Sequence, residues 1–250
     1  MKANPGGEIA PAEVMGRDQL IADLWGILEQ QSVILSAERR MGKTSVIKKM
    51  RSEATADKLP IYRDLEDVKS PLEFVEKVFQ DVEAYLTGFN RTAKKNRGLL
   101  KHLGGAEFSG FKLPEIAAPH WKALLTETIA DLAENQDRRV ILFWDEVPYM
   151  LDNIGDAAAM ELLDTLRSLR QMYPAVRIVY TGSIGLHHVL GVLRKAGYTN
   201  DPINDMYVQD VPPLSVKDAT NLARKLLEGE NITTPDIQGT VNPAVETAAT

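Results

Sequence analysis

Apolar positions alternate between helical and strand spacing along most of this chain. Residues 20–28 carry apolar side chains at helical intervals, and the short apolar run 32–35 then predicts a buried strand. The same change recurs at the apolar run 140–144 and at the strand predicted over 176–181, with a helix predicted after each. Strands that alternate with helices predict an α/β fold, in which a parallel sheet is covered by helices on both faces.

Capping signals mark the start of two helices. Ser70, Pro71 and Glu73 form a capping box with proline at the first helical position. Ser215, with Asp218 three residues later, predicts a second helix start in the last part of the chain. Both helices continue with apolar residues on one face, so each is expected to pack against other elements.

Composition shifts divide the chain into segments. Residues 1–13 are rich in Pro, Gly and Ala and predict a flexible lead-in, residues 14–211 predict the α/β core, and residues 212–250 predict the start of a small helical lid. That lid is expected to be cut short, because a helix start at 242–243 comes just before the last residue. Residues from about 88 to 119 break the alternation and predict an insertion, whose basic run is interpreted as a solvated face, with a DNA or RNA contact as the alternative.

Composition excludes several classes of protein. The 250 residues are 44% hydrophobic and 26% charged and include no cysteine, which excludes disordered chains, disulfide frameworks and thiolate metal sites. A net charge of -6 argues against a domain built to coat nucleic acid, although a local contact stays possible. No apolar run has the length of a membrane span, and the first residues lack a signal-peptide core, so a cytoplasmic location without membrane contact is expected.

A phosphate-binding loop is predicted between the strand at 32–35 and the helix that follows. In this setting backbone N–H groups surround phosphates, Lys43 reaches the β and γ phosphates, and Thr44 offers a hydroxyl to Mg²⁺. The first glycine of the usual GxxxxGK[ST] pattern is replaced by Ala37, which is tolerable if that position does not need a positive φ. The predicted nucleotide-binding residues of the loop are Ala37, Glu38, Arg39, Arg40, Met41, Gly42, Lys43, Thr44 and Ser45.

Two adjacent carboxylates end the apolar run 140–144. A carboxylate at the end of a strand near the loop can hold Mg²⁺, so Asp145 is predicted as a metal partner together with Thr44. Glu146, the next residue, is predicted to orient or deprotonate an attacking water. These residues indicate ATP as the ligand and Mg²⁺ as its metal ion.

The sequence resembles the AAA+ and STAND ATPases, in particular the archaeal-type ATPases, over residues of about 14 to 230. The segments that carry the resemblance are 14–18, the loop from Arg39 to Ser45, the pair at 145–146, and 179–183. The resemblance implies that Gly16 and Arg17 line the base pocket and that Thr181 or Ser183 senses the γ-phosphate. It also places an arginine finger at Arg194, for which a solvated arginine is the alternative.

The resemblance implies a three-layer P-loop NTPase sandwich of the ASCE type, with one strand between the loop strand and the acidic strand. It implies slow, regulated ATP hydrolysis as a switch, with ADP as product and with an effector or a second copy of the chain as partner. The alternatives are a nucleotide-dependent scaffold without appreciable turnover, a DNA-linked ATPase similar to archaeal origin-binding proteins, and a small-molecule P-loop kinase.

Overall fold

The computed structural model describes residues 1–4, 7, 9–86, 120–183 and 185–232. Within them the strands are β1 (Val33–Ser36), β2 (Lys58–Asp64), β3 (Arg139–Asp145), β4 (Val176–Tyr180) and β5 (Tyr207–Asp210). The helices are α1 (Asp18–Leu28), α2 (Lys43–Ser52), α3 (Pro71–Val82), α4 (Trp121–Asn135), α5 (Val147–Ile154), α6 (Asp156–Met172), α7 (Leu186–Lys195) and α8 (Val216–Gly229). Short 3₁₀ helices cover Pro11–Glu13 and Glu83–Tyr85.

All pairings in the five-stranded sheet are parallel, and the strand order is β2-β3-β4-β1-β5. Strand β4 therefore lies between the loop strand β1 and the acidic strand β3, which confirms the predicted fold class. Because parallel strands end at the same edge of a sheet, the segments after β1, β3 and β4 meet there. This edge holds the candidate site.

The sheet has an apolar core on each face. Along β3, Val140, Leu142 and Trp144 belong to one core, while Ile141 and Phe143 belong to the other. This division follows from the alternation of side chains along a strand. Helices α1 and α2 cover the second face, and α3 to α7 cover the first. The three layers fix the loops at the carboxyl edge.

The predicted helix starts carry the expected side-chain caps. The Ser70 hydroxyl accepts a hydrogen bond from the Glu73 N–H at 3.1 Å, and the Glu73 carboxylate reaches back to the Lys69 N–H at 2.9 Å. At the start of α8 the Ser215 hydroxyl accepts from the Asp218 N–H at 3.1 Å. The two serine contacts each satisfy an amide group that the helix itself leaves without a partner.

The sequence analysis predicts one helix after the run 140–144, where the structure has two, α5 and α6, and the shorter helix α5 was missed. Helix α5 follows Glu146 directly, with Pro148 in its first turn, and ends at Gly155, whose φ is 83°. Its eight residues are too few to give a clear helical period of apolar positions.

Several predictions fall on residues outside the described part of the chain. These are the insertion at about 88–119 with its basic run, and the helix start at 242–243. No helix in the described part is long and apolar enough to cross a membrane.

Candidate functional site: a phosphate-binding loop and two acidic residues

The predicted loop connects β1 to the N-terminus of α2. Gly42, the residue before α2, has φ 85° and ψ 25°, in the left-handed region that glycine adopts without steric cost. Arg40 also has a positive φ, of 67°, whereas Ala37 is not among the residues with positive φ. Alanine therefore replaces glycine at position 37 without backbone strain, as the sequence analysis required.

The Lys43 side chain is folded back onto the loop. It is 7% exposed, and its ammonium donates to the carbonyl oxygens of Ala37 at 2.7 Å and Glu38 at 2.9 Å. Burial lowers the pKa of Lys43, while the nearby carboxylates of Glu146 and Asp145 act in the opposite direction. A lysine ammonium that exchanges neutral carbonyl acceptors for a phosphate oxygen gains a charge-assisted hydrogen bond.

The Thr44 hydroxyl and the Asp145 carboxylate are in direct contact. Thr44 Oγ1 donates to Asp145 Oδ2 at 2.7 Å, and the Tyr62 hydroxyl reaches the same oxygen at 3.3 Å. The other oxygen, Oδ1, accepts from the Glu146 N–H at 3.1 Å. The carboxylate that the sequence analysis assigned to the metal thus lies beside the hydroxyl assigned to the same ion.

Asp145 is almost completely buried, with 3% of the residue exposed. Burial raises its pKa, the hydrogen bond from Thr44 lowers it, and the negative charge of Glu146 raises it further. An ionised carboxylate in this position is costly without a cation. The electrostatics at this point of the site therefore favour a bound positive ion.

Glu146 occupies a constrained position between β3 and α5. Its φ of 57° lies in the left-handed region, which is uncommon for a residue with a Cβ and is found at functional sites. The carboxylate oxygen Oε2 accepts from the Ser183 N–H at 2.9 Å and from the Ser183 hydroxyl at 2.8 Å. Ser183 therefore contacts the predicted catalytic glutamate in this structure.

The segment after β4 packs closely against the start of α5. A Cβ on Gly182 would lie 2.5 Å from Pro148 Cδ, so only glycine fits there without a shift. The Thr181 backbone carbonyl accepts from the Val147 N–H at 3.1 Å. The Thr181 hydroxyl is buried and has no hydrogen-bond partner among the described residues. A buried hydroxyl usually has a hydrogen-bond partner, so a ligand at this edge of the sheet would supply one to Thr181.

The residues predicted for the base pocket lie between the loop and the start of α8. Gly16 has φ 66°, and Arg17 is buried, donating to the carbonyl oxygens of Met41 at 3.1 Å and Pro212 at 2.6 Å. Arg194 lies exposed in the last turn of α7. The arginine finger at this position stays a prediction.

The remaining loop residues differ in exposure. Glu38, Arg39 and Arg40 are exposed, whereas Met41 and Ser45 are half-buried. The paired arginines thus lie at the surface of the loop.

Comparisons with known proteins agree with this geometry. A family model described as an AAA domain matches residues 27–190, which is more than half of the chain and includes the loop, both carboxylates and β4. The chain belongs to the AAA domain family. This match confirms the AAA+ resemblance that the motifs indicate, while the STAND part of that resemblance stays a prediction. No curated protein sequence matches the chain.

Two solved archaeal structures are similar to this AAA domain. A Walker-type ATPase of Pyrococcus abyssi has a TM-score of 0.59 and 18% sequence identity, over 93% of this chain and 63% of its own. The ORC2 protein of Aeropyrum pernix, in its ADPNP-ADP complexes, has a TM-score of 0.55 and 13% identity, over 89% of this chain and 54% of its own. At these identities the likeness shows the shared fold. The AAA domain spans less than two thirds of the length of either protein.

Mg²⁺ is the metal whose chemistry the site fits. In the described part of the chain, no group of three or more His, Asp or Glu side chains is arranged to hold a metal ion. Magnesium is commonly held by one or two protein oxygens together with phosphate oxygens and water. Thr44 and Asp145 supply one hydroxyl and one carboxylate, which is the donor set that this mode of binding needs.

The sequence analysis missed one residue that contacts the acidic centre, Tyr62. Its signal was weak, because a tyrosine in a half-buried strand is ordinary. The contact depends on the pairing of β2 with β3, which aligns Tyr62 with Phe143 and Asp64 with Asp145. Knowledge of that register would have placed Tyr62 on the same face of the sheet as Asp145.

Proposed function

We propose that this AAA domain binds ATP together with Mg²⁺ and hydrolyses it slowly as a regulated switch. The observation that carries the proposal is the contact of Thr44 with Asp145 beside the buried Lys43. Three groups that the chemistry requires are thereby gathered at one edge of the sheet: a cation for the phosphates, a hydroxyl and a carboxylate. The loop that connects β1 to α2 supplies backbone N–H groups at a helix N-terminus, where anions are stabilised.

Binding begins with an exchange of partners at Lys43. Its ammonium leaves the carbonyls of Ala37 and Glu38 and contacts the β and γ phosphates. Thr44 and Asp145 would hold Mg²⁺, which supplies neutralisation of the phosphate charge when bound. Asp145 then keeps its negative charge at low cost, since a cation offsets the burial that raises its pKa.

Hydrolysis requires Glu146 to act on a water molecule. In the described structure the Glu146 carboxylate is bound to Ser183, so it must leave this contact or share it to orient a water at the γ-phosphate. Thr181 and Ser183 follow β4 and would respond to the γ-phosphate. The need to release Glu146 supports slow turnover that depends on conformation.

The same contact supports a second candidate function, a nucleotide-dependent scaffold without appreciable turnover. If Ser183 keeps Glu146 away from the water in every state, ATP would bind and order the domain without being hydrolysed. The base pocket assigned to Gly16 and Arg17 and the finger assigned to Arg194 belong to either function, as do partners such as an effector or a second copy of the chain.

Calorimetry and a phosphate-release assay on the same preparation test the proposal. Wild type should bind Mg²⁺·ATP and release phosphate slowly, and Lys43→Ala should lose binding, because a charge-assisted phosphate contact contributes about 1.5 to 3 kcal/mol. Arg51→Ala, at an exposed position on α2, is the matched control and should bind normally. An arm with added DNA tests the DNA-linked alternative. Unchanged affinity in Lys43→Ala would refute the assigned loop, and tight binding without turnover would favour the scaffold.

A further inference from the structure

Arg17 connects two segments that are far apart in the sequence. Its Nη1 donates to the carbonyl of Pro212 at 2.6 Å, and its Nη2 donates to the carbonyl of Met41 at 3.1 Å. Met41 belongs to the phosphate-binding loop, and Pro212 lies between β5 and α8. One guanidinium group thus bridges the loop and the segment that leads into the lid helix.

The Arg17 guanidinium has little electrostatic support at this position. The residue is 7% exposed, and its hydrogen bonds go to neutral carbonyl groups. Desolvation lowers its pKa, and the nearby charge of Asp218 on α8 offsets this only in part. Because arginine stays protonated in proteins, a buried guanidinium depends strongly on each of its acceptors. A movement of the Met41 carbonyl should therefore change the hydrogen bond of Arg17 to Pro212, and the reverse should also hold.

The segment around Arg17 is itself attached to α2. Lys49 on α2 is buried and donates to the Val14 carbonyl at 3.0 Å and to the Asp18 carboxylate at 2.8 Å. On the other side, Gly16 lies so close to α8 that an added Cβ would be 2.7 Å from Asp218 Cβ. Helix α8 has no fully buried residue. The first turn of α8 thus lies against the segment around Gly16 and Arg17. Burial in an apolar core contributes little to holding the helix in place.

We propose that Arg17 is a positioning residue that couples the state of the phosphate-binding loop to the docking of α8. This inference rests on the proposed nucleotide binding and goes beyond a base-pocket contact. Phosphate binding takes Lys43 from the Ala37 and Glu38 carbonyls. The loop backbone, to which Met41 also belongs, thereby loses two hydrogen bonds and can shift. Arg17 transmits that change to Pro212 and alters the stability of α8 on the core. By linkage, docking of α8 changes nucleotide affinity to the same degree.

Hydrogen exchange with and without Mg²⁺·ATP tests this coupling on the full chain. In wild type, nucleotide should slow amide exchange both in the loop and in α8. Arg17→Lys keeps the positive charge and most of the buried chain, but one ammonium replaces two NH₂ groups aimed at different carbonyls. At saturating ATP this variant should keep the protection of the loop and lose most of the nucleotide response in α8. Arg51→Ala should behave as wild type in both segments.

The other possible results distinguish a failure of nucleotide binding from a failure of the coupling. Absence of loop protection in wild type would refute the proposed nucleotide binding itself. Loop protection in wild type with an unresponsive α8, or an α8 response that survives in both Arg17→Lys and Arg17→Ala, would overturn the coupling. Loss of loop protection in Arg17→Lys would make Arg17 a direct nucleotide contact. If α8 exchanges at the unprotected rate in that variant without nucleotide, Arg17 is a static brace. Either of these last two results also overturns the coupling.

Discussion

Replacement of Glu146 by glutamine should separate the proposed catalysis from nucleotide binding. In wild type, Glu146 Oε2 accepts two hydrogen bonds from Ser183, one from its N–H and one from its hydroxyl. The amide oxygen of glutamine can accept the same two bonds, and the loss of charge weakens them by about 1 kcal/mol in total. The positive φ of this position is unchanged by the substitution, so the fold should be retained.

Binding of ATP should be nearly normal in Glu146→Gln. The negative charge of Glu146 supports the protonated form of Lys43, but Asp145 does so too and is still present in the variant. Thr44 and Asp145 also keep their mutual contact. Calorimetry with Mg²⁺·ATP should therefore give an affinity within a few-fold of wild type.

Turnover should fall sharply in the same variant. A general base contributes about 10² to 10⁴ in rate, and this corresponds to about 2.7 to 5.4 kcal/mol in the activation free energy. Phosphate release measured in single turnover gives the rate without interference from product dissociation. Glu134→Gln is the matched control, because Glu134 is an exposed carboxylate near the end of α4, at the opposite end of β3 from Asp145. Equal hydrolysis by wild type and Glu146→Gln would show that Glu146 is not the base.

Three further predictions concern the metal, the packing and the pH dependence of the site. Thr44→Ala should weaken ATP binding more with Mg²⁺ than without it in calorimetry, and equal losses would remove Thr44 from the metal site. Gly182→Ala should lower the free energy of unfolding in urea by about 1 to 3 kcal/mol, because its Cβ would clash with Pro148. Gly191→Ala on α7 is the control and should not destabilise the protein, since no atom lies within 4 Å of the added Cβ. Equal effects of the two substitutions would refute the packing argument. The raised pKa of Asp145 favours its protonated form in the folded state. The free energy of unfolding of nucleotide-free wild type, relative to Asp145→Asn, should therefore fall as pH rises from about 4 through the raised pKa. A difference between the two proteins that does not change with pH in urea titrations would contradict this.

The sequence predicts those parts of the site that depend on neighbours in the chain. The loop from Ala37 to Thr44 is recognisable because the strand, the glycine and the helix follow one another directly. The resemblance to AAA+ ATPases implies one strand between the loop strand and the acidic strand, and the structure has β4 in that position, so that Asp145 lies at the same edge of the sheet as the loop. Local spacing thus accounts for the fold class and for the choice of the predicted phosphate and metal ligands, and in the structure Thr44 contacts Asp145.

The contacts that the sequence does not predict join residues with no local relationship. Ser183 is 37 positions from Glu146, Tyr62 is 83 positions from Asp145, and Arg17 is 195 positions from Pro212. Each contact depends on strand register or on how one loop lies over another. A single sequence carries no signal for such pairings, because the residue types involved are common at protein surfaces and in loops.

Four groups of the proposed chemistry already contact one another or the backbone inside the protein: the Lys43 ammonium, the Thr44 hydroxyl and the carboxylates of Asp145 and Glu146. The Lys43 ammonium is bound to two carbonyls, the Thr44 hydroxyl to Asp145, and the Glu146 carboxylate to Ser183. In the proposed function, nucleotide therefore replaces existing contacts, and part of its interaction energy is used to break them. This exchange affects the loop, the end of β3 and the segment after β4 together. A domain built in this way is suited to report whether nucleotide is bound, because the same contacts that weaken affinity make its conformation depend on the ligand.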